Sequence, residues 1–310
     1  MKSHQPYSKA RAGFTVIELL IILVTLALIA SVIVPGLART NPDTKTLQCL
    51  NHMRQLAGAV IMYTHDNHEL YPPNPDDGNT LPEYNWCAGF ACIGCADQFN
   101  PDLLKDPQRT LLANYTKNDV ALYSCPADPR VGLYDGAALY PNSPLIGQRV
   151  RAARSVSMNQ AVGTIDPAYA EGGGHRGIPN LPTNGPWLTG NNGENNNTRG
   201  PFATFGKSDH FPVIRPSDVF LMGDESPFSI NDAGLATCAD LNNRKFIDYP
   251  SSLHNHGAPF SFCDGHAELH KWQGSAIILA KPTDLGKPIS TPGDISDFNW
   301  LATHSSVRIR

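Results

Sequence analysis

The sequence carries none of the short motifs that announce common enzyme classes. It has no Gly-x-Ser-x-Gly elbow, no His-Glu-x-x-His and no phosphate-cradling glycine loop, which excludes a nucleophile-elbow hydrolase, a zincin and a P-loop nucleotidase. An excess of positive charge is also missing. With 24 Lys and Arg against 28 Asp and Glu, the formal net charge is −4, so there is no basic footprint for a nucleic-acid partner. No internal repeat is visible, which removes solenoid architectures. A hydrophobic share of 41% and a charged share of 17% exclude a wholly disordered or collagen-like chain and allow at least one real core. What the 310 residues do hold is glycine and proline, 26 of each, about one residue in six. That favours a loop-rich body over a helical bundle.

Charge is unevenly placed. Residues 1–13 contain Lys2, Lys9 and Arg11 and no acid, leaving 21 bases against 28 acids in the remainder. The stretch from Phe14 to Val34 follows, 21 residues long and almost entirely apolar. As a helix at ~1.5 Å per residue it reaches roughly 31 Å, enough for a hydrocarbon core. The basic leader belongs on the cytoplasmic side, so one span is expected, with everything after Pro35 outside the inner membrane. The run exceeds the ~7–15 residues of a signal-peptide core, and no clean small-x-small site follows it before Pro35-Gly36, which argues against a cleaved secretory signal. A plain anchor leaves Glu18 unexplained, because a carboxylate in an apolar span is costly unless a cation meets it.

The string Gly13-Phe14-Thr15-Val16-Ile17-Glu18-Leu19-Leu20 resembles the processing site of type IV pilins and type II secretion pseudopilins. The resemblance implies cleavage after Gly13 by a prepilin peptidase, methylation of the new N-terminus at Phe14, and pairing of Glu18 with the N-terminal amine of a neighbouring subunit. The physical chemistry fits these roles. Glycine leaves the backbone unhindered at the bond to be cut, and opposite charges attract strongly in low dielectric while either alone is expensive to bury. Beyond the kink at Pro35-Gly36, Leu47, Leu50, Met53, Leu56, Val60 and Ile61 recur mostly at three and four residues and form an apolar stripe; Asn41 or Asp43 can cap the restart. The fold expected is α+β and pilin-like. A leader over 1–13 precedes a long N-terminal helix, membrane-spanning over 14–35 and amphipathic over 36–70, packed on an antiparallel sheet within a loop-rich globular domain over 71–310.

Within that domain Val219-Phe220-Leu221-Met222 reads as a buried strand, Val120 to Tyr123 as a short strand, Thr110 to Tyr115 as one or two helical turns, and Val150 to Met158 as extended. Gly172 to Gly206 reads as a long loop, and the tail from Lys281 is turn-rich around one apolar cluster, Phe298 to Leu301. Asp264-Gly265, between Pro259–Phe262 and Ala267–His270, marks a hairpin tip. His254, nine intervening residues and Asp264-Gly265-His266, with Phe262 and Trp272 alongside, resemble the C-terminal signature of a large group of prepilin-type proteins found mainly in planctomycetes and their relatives. Cys49-Leu50-Asn51-His52-Met53-Arg54-Gln55-Leu56, Tyr123-Ser124-Cys125-Pro126, Ser157-Met158-Asn159 and Gly223-Asp224-Glu225 follow the order of that group.

The His-Asp-Gly element supports two readings. As a hairpin, Asp264 accepts backbone hydrogen bonds, Gly265 takes a positive φ and His254 bonds across from the neighbouring strand. As a metal site, Asp224, Glu225 and Asp264 offer oxygen donors to Ca²⁺, the candidate cofactor, while His254, His256 and His266 suit Zn²⁺. The hairpin is the favoured reading. Seven cysteines in an exported chain imply disulfides with at least one thiol left over. In the Cys87, Cys92 and Cys95 loop a local bridge is preferred to zinc ligation. Cys49 and Cys125 match the prepilin-type group, and the resemblance implies that they join helix to sheet. His175, Asp209 and His210 are individually compatible with acid–base work, but no catalytic set emerges.

The function expected is a pilin-like or pseudopilin-like structural subunit, not an enzyme, assembled into a filament or a type II secretion-like pseudopilus. Its partners are a prepilin peptidase, identical or related subunits and the inner membrane. The globular domain is expected in the periplasm before assembly, and the filament in the periplasm or outside the cell afterwards. The alternative is a monomeric membrane-anchored extracytoplasmic domain that binds a ligand or metal.

Overall fold

The computed structural model describes residues 16–25, 44–74, 85–164, 183, 185–193 and 200–310. The leader, Gly13, Phe14, Pro35-Gly36, His175 and most of the Gly172–Gly206 stretch lie outside the described residues. The chain divides into two units, Met1–Thr44 and Lys45–Arg310.

In the first unit a helix, α1, covers 16–25. Its ten residues rise about 15 Å, half the ~30 Å thickness of a hydrocarbon core. No helix among the described residues is long and apolar enough to cross a membrane. This corrects the transmembrane helix expected over 14–35 and the inner-membrane location that rested on it. It also corrects the expected pilin-like architecture, whose long N-terminal helix packed on a sheet is not seen. Apolar composition gives a segment the capacity to span; the helix realised among the described residues is too short to do so.

All but the first residue of α2, Thr44–Asp66, belongs to the second unit. Cys49, Met53, Leu56, Ala57 and Val60 are buried at helical spacing, whereas Leu47, at the edge of the stripe, is half exposed. The helix stops where His68 and Glu69 both take positive φ, 57° and 64°, and the Glu69 N–H donates to the Thr64 carbonyl at 2.8 Å. Left-handed residues past the last turn satisfy orphan carbonyls in this way.

Among the described residues seven strands follow. β1 (Val131–Leu133) and β2 (Arg149–Arg151) form a separate antiparallel ribbon. β3 (Val156–Asn159), β4 (Phe220–Asp224), β5 (Gly234–Leu235), β6 (Gly257–Phe262) and β7 (Ala267–Lys271) make one sheet in the order β5-β3-β4-β6-β7. β5 runs parallel to β3 and the other neighbours are antiparallel. The sheet is therefore mixed, not the purely antiparallel sheet expected, because the chain leaving β4 crosses back to the free edge of β3. β6 and β7 form a hairpin, and Gly265 at its tip has φ +93°.

The sheet lies between two cores. On one side Met53, Leu56 and Val60 of α2 join Met158 of β3 and Leu221 and Met222 of β4. On the other, Phe220, Phe260, Phe262 and Trp272 pack with Phe298 and Leu301 of α3, Pro292–Ser305. Ala258, Phe260 and Phe262 alternate along β6 toward this second core, as the period of a strand requires. Each fully buried phenylalanine contributes roughly 1.5–3 kcal/mol.

Two local expectations are revised. Val120–Tyr123 is a 3-10 turn, started by the Asp119 carboxylate accepting from the Ala121 N–H. The tail read as turn-rich contains α3, fourteen residues long; the Thr291 hydroxyl accepts from the Asp294 N–H and Pro292 opens the first turn, both start signals that the sequence displays.

α3 is held to the sheet partly through His270 of β7, which stacks on Trp300 with ring centroids 3.7 Å apart and meets Trp272 edge-on. Its Nε2 has no hydrogen-bond partner among the described residues. Burial, with a smaller contribution from His304, pushes its pKa down from 6.5 to about 4. The unfolded chain therefore accepts a proton that the folded chain refuses. The contribution is complete above about pH 6.5 and is lost as pH falls toward 4. Relative to His270→Phe, the native protein should lose stability in urea between about pH 7.5 and pH 4.5; a difference between the two that does not change with pH would contradict this.

Candidate metal centre

Four segments far apart in the chain meet beside the end of β4. Cys49 projects from the buried face of α2, and Cys125 follows the 3-10 turn at Val120–Tyr123. Asp224 is the last residue of β4, and His254 lies just before β6. All four are at most 1% exposed, and one donor atom from each lies within 4.8 Å of the others.

The backbone sets each donor. Cys125 is fixed by its N–H, which donates to Ser155 Oγ at 2.7 Å. His254 N–H donates to the Gly257 carbonyl, and the next two residues, Asn255 and His256, take φ of 50° and 59°. That tight left-handed pair turns the chain into β6 while the imidazole stays inside.

The surrounding hydrogen bonds aim the donors at a common point. His254 Nδ1 lies 3.0 Å from Thr46 Oγ1, one turn before Cys49 on α2. Its Nε2 lies 3.0 Å from Cys125 Sγ and 3.9 Å from Asp224 Oδ2. The hydroxyl of Ser155 donates to Asp224 Oδ1 at 2.8 Å and that of Ser251 to Asp224 Oδ2 at 2.6 Å. The Ala127 N–H donates to Cys125 Sγ at 3.3 Å. Burial pushes the Asp224 carboxyl up to about 6, against the hydrogen bonds from Ser251 and Ser155. The Cys49 thiol is driven far above its ordinary range by its hydrogen bond to Cys125 and by burial. For Cys125 the bond to Cys49 acts downward, but burial and the nearby Asp224 charge leave it raised.

This arrangement is not a nucleophile–base relay. In such a relay the carboxylate holds Nδ1 while Nε2 faces the nucleophile. Here the thiol and the carboxylate both face Nε2, and a threonine hydroxyl holds Nδ1. Donors that converge on a shared point, backed by a ring of outer hydrogen bonds, are what a metal requires.

The other sequence candidates do not come together. Glu225 is buried but accepts from the Ser157 and Ser229 hydroxyls at 2.5 and 2.9 Å, and burial raises its pKa. Asp264 is exposed in the hairpin turn, where its Oδ1 accepts from the His266 N–H at 3.1 Å. The Asp224, Glu225 and Asp264 set for Ca²⁺ is thus split among three separate surroundings. Of the three histidines weighed for Zn²⁺ only His254 is at the centre; His256 and His266 are exposed. The His254 backbone bonds to the hairpin, its N–H donating to the Gly257 carbonyl and its carbonyl accepting from Lys271 Nζ of β7, while its imidazole reaches Thr46 of α2. Asp209 and His210 are exposed. Cys92 and Cys95 are bonded, whereas Cys87 is buried and free. Cys49 and Cys125 are also free thiols, which corrects the pairing that the resemblance implied. Thr46 was not among the sequence candidates. It lies 208 residues from His254, and no local pattern joins them. No family model, curated protein or solved structure matches the chain.

A thiol count follows from these cysteines. In denaturant without reductant five thiols should react, and two more after reduction. An initial count of three, with Cys49 and Cys125 in one cross-linked peptide, would overturn the assignment.

Proposed function

We propose that the chain is a structural subunit and not an enzyme. It is cut after Gly13 by a prepilin-type peptidase and assembles with identical or related subunits into a filament or a type II secretion-like pseudopilus. The observation that carries this reading is the surface of α1. Val16, Ile17, Leu19, Leu20, Ile21, Ile22, Leu23 and Val24 are 42–75% exposed, so the helix is apolar and exposed on nearly every side. Covering a Val, Leu or Ile side chain fully is worth roughly 1.5–3 kcal/mol, and exposed apolar patches of this kind mark interaction surfaces.

The same segment of another copy is the cover that also accounts for Glu18, which sits among these residues in α1. By the resemblance at Gly13–Leu20 its carboxylate meets the amine that cleavage creates on a neighbour's Phe14. The proposal rests on this segment and not on the body, whose architecture differs from the one the resemblance implied.

Two measurements test it. The intact mass of chain purified from its own host should begin at Phe14 and carry one added methyl group. Glu18→Ala should abolish sedimenting assemblies while leaving the thermal transition of the body unchanged. A mass that retains Met1 to Gly13, or assembly undiminished by the substitution, would contradict the proposal.

A further inference from the structure

We propose that Cys49, Cys125, Asp224 and His254 hold one Zn²⁺ ion as a closed structural centre that fastens α2 to the sheet. The inference rests on the body alone and is independent of how the chain assembles.

The donor set selects the ion. Two thiolates, one imidazole and one carboxylate make a soft-to-borderline, four-donor set, and such sets favour Zn²⁺. Ca²⁺ and Mg²⁺ require six or more oxygens, and among the four donors only Asp224 supplies any. Size agrees as well. Zn–S bonds of about 2.3 Å and Zn–N or Zn–O bonds of about 2.0–2.2 Å give a tetrahedron with edges of roughly 3.3–3.8 Å. The four donors lie within 4.8 Å of one another and Cys125 Sγ and His254 Nε2 are 3.0 Å apart, so seating the ion draws some pairs in by up to about 1 Å and parts this one by about 0.5 Å, movements smaller than a bond length.

The outer contacts are those that a zinc site uses. Thr46 Oγ1 on His254 Nδ1 leaves the Nε2 lone pair for the metal, the Ser155 and Ser251 hydroxyls hold both oxygens of Asp224, and the Ala127 N–H supports Cys125 Sγ. The centre has four protein donors and all of them are buried, which is the closed pattern of a structural site and not the open coordination of a catalytic one. The ion would tie together chain segments from α2, the Cys125 turn, β4 and the loop before β6, so metal binding and folding of this region are coupled.

The test begins with the full chain, expressed in zinc-supplemented medium and purified without chelator, whose metal is measured by plasma mass spectrometry. One zinc per chain is expected. Cys49→Ser, Cys125→Ser, Asp224→Asn and His254→Gln should each lose it, whereas Cys87→Ser, which removes a buried free thiol outside the centre, should keep it. Thr46→Val leaves all four donors in place and should weaken zinc retention against a competing chelator about 10–100-fold, the range for lost outer contacts.

Because the donor variants can fail to fold, the unaltered chain is also refolded under reducing conditions with Co²⁺ alone. Thiolate-to-cobalt charge transfer with intense tetrahedral d–d bands supports the site. A weak octahedral spectrum, substoichiometric metal in the unaltered chain, or zinc retained equally by Cys49→Ser and Cys87→Ser would overturn it.

Discussion

An apolar interior accepts two thiols, a carboxylate and an imidazole side by side only when each has a partner. In this protein those groups meet at the junction of α2 with the sheet. Thr46 meets the imidazole, Ser155 and Ser251 the carboxylate, and the Ala127 N–H the Cys125 sulfur. The arrangement is costly to disturb because an unpaired polar group in such a place loses its hydration without replacement, about 1–3 kcal/mol each and more for a charge. Burial already presses Asp224 toward its neutral form. A cation at the point where the four donors converge offsets that pressure and draws both sulfurs into use.

The remainder of the body is arranged around this junction. One core lies between α2 and the sheet, and a second, built from aromatic residues, lies between the sheet and α3. The mixed sheet brings the end of β4 and the loop before β6 to the same end of the strands as the Cys125 turn. Since α2 contributes both Cys49 and Thr46 from a single face, its rotation is fixed by polar contacts as well as by Met53, Leu56 and Val60. α1, in the other unit, has the opposite character: its apolar residues are exposed, and its role in the proposed assembly lies with other chains.

Much of the local structure could be read from the sequence, and much of the tertiary arrangement could not. The apolar stripe of α2, the strand at Phe220 and the Asp264-Gly265 hairpin follow from periodicity and turn chemistry, which act over a few residues. The capping signals of α3 at Thr291 and Pro292 were also present, but the surrounding prolines and glycines masked them. Val120–Tyr123 has strand-forming residues, yet Asp119 starts a 3-10 turn there. The span expected over 14–35 is not found among the described residues, because hydropathy measures what a segment can do in lipid and not the length of helix it forms.

Long-range placement explains the errors at the site. Asp224 and His254 both stand out in the sequence, but beside residues that go elsewhere: Glu225 is adjacent in the chain and still faces its own serines, and His266 turns to solvent. Cys49 and Cys125, which the resemblance implies as a bonded pair, are two free thiols sharing a point with His254 and Asp224. Spacing in sequence says nothing about contacts that depend on the crossover from β4 to β5 and on the left-handed turn at Asn255 and His256.

The most direct measurement is X-ray absorption at the zinc edge of the intact chain. The account requires a first shell of two sulfur and two nitrogen or oxygen scatterers, at about 2.3 Å and 2.0–2.2 Å respectively. A shell of light atoms alone, as surface-bound zinc gives, would contradict it.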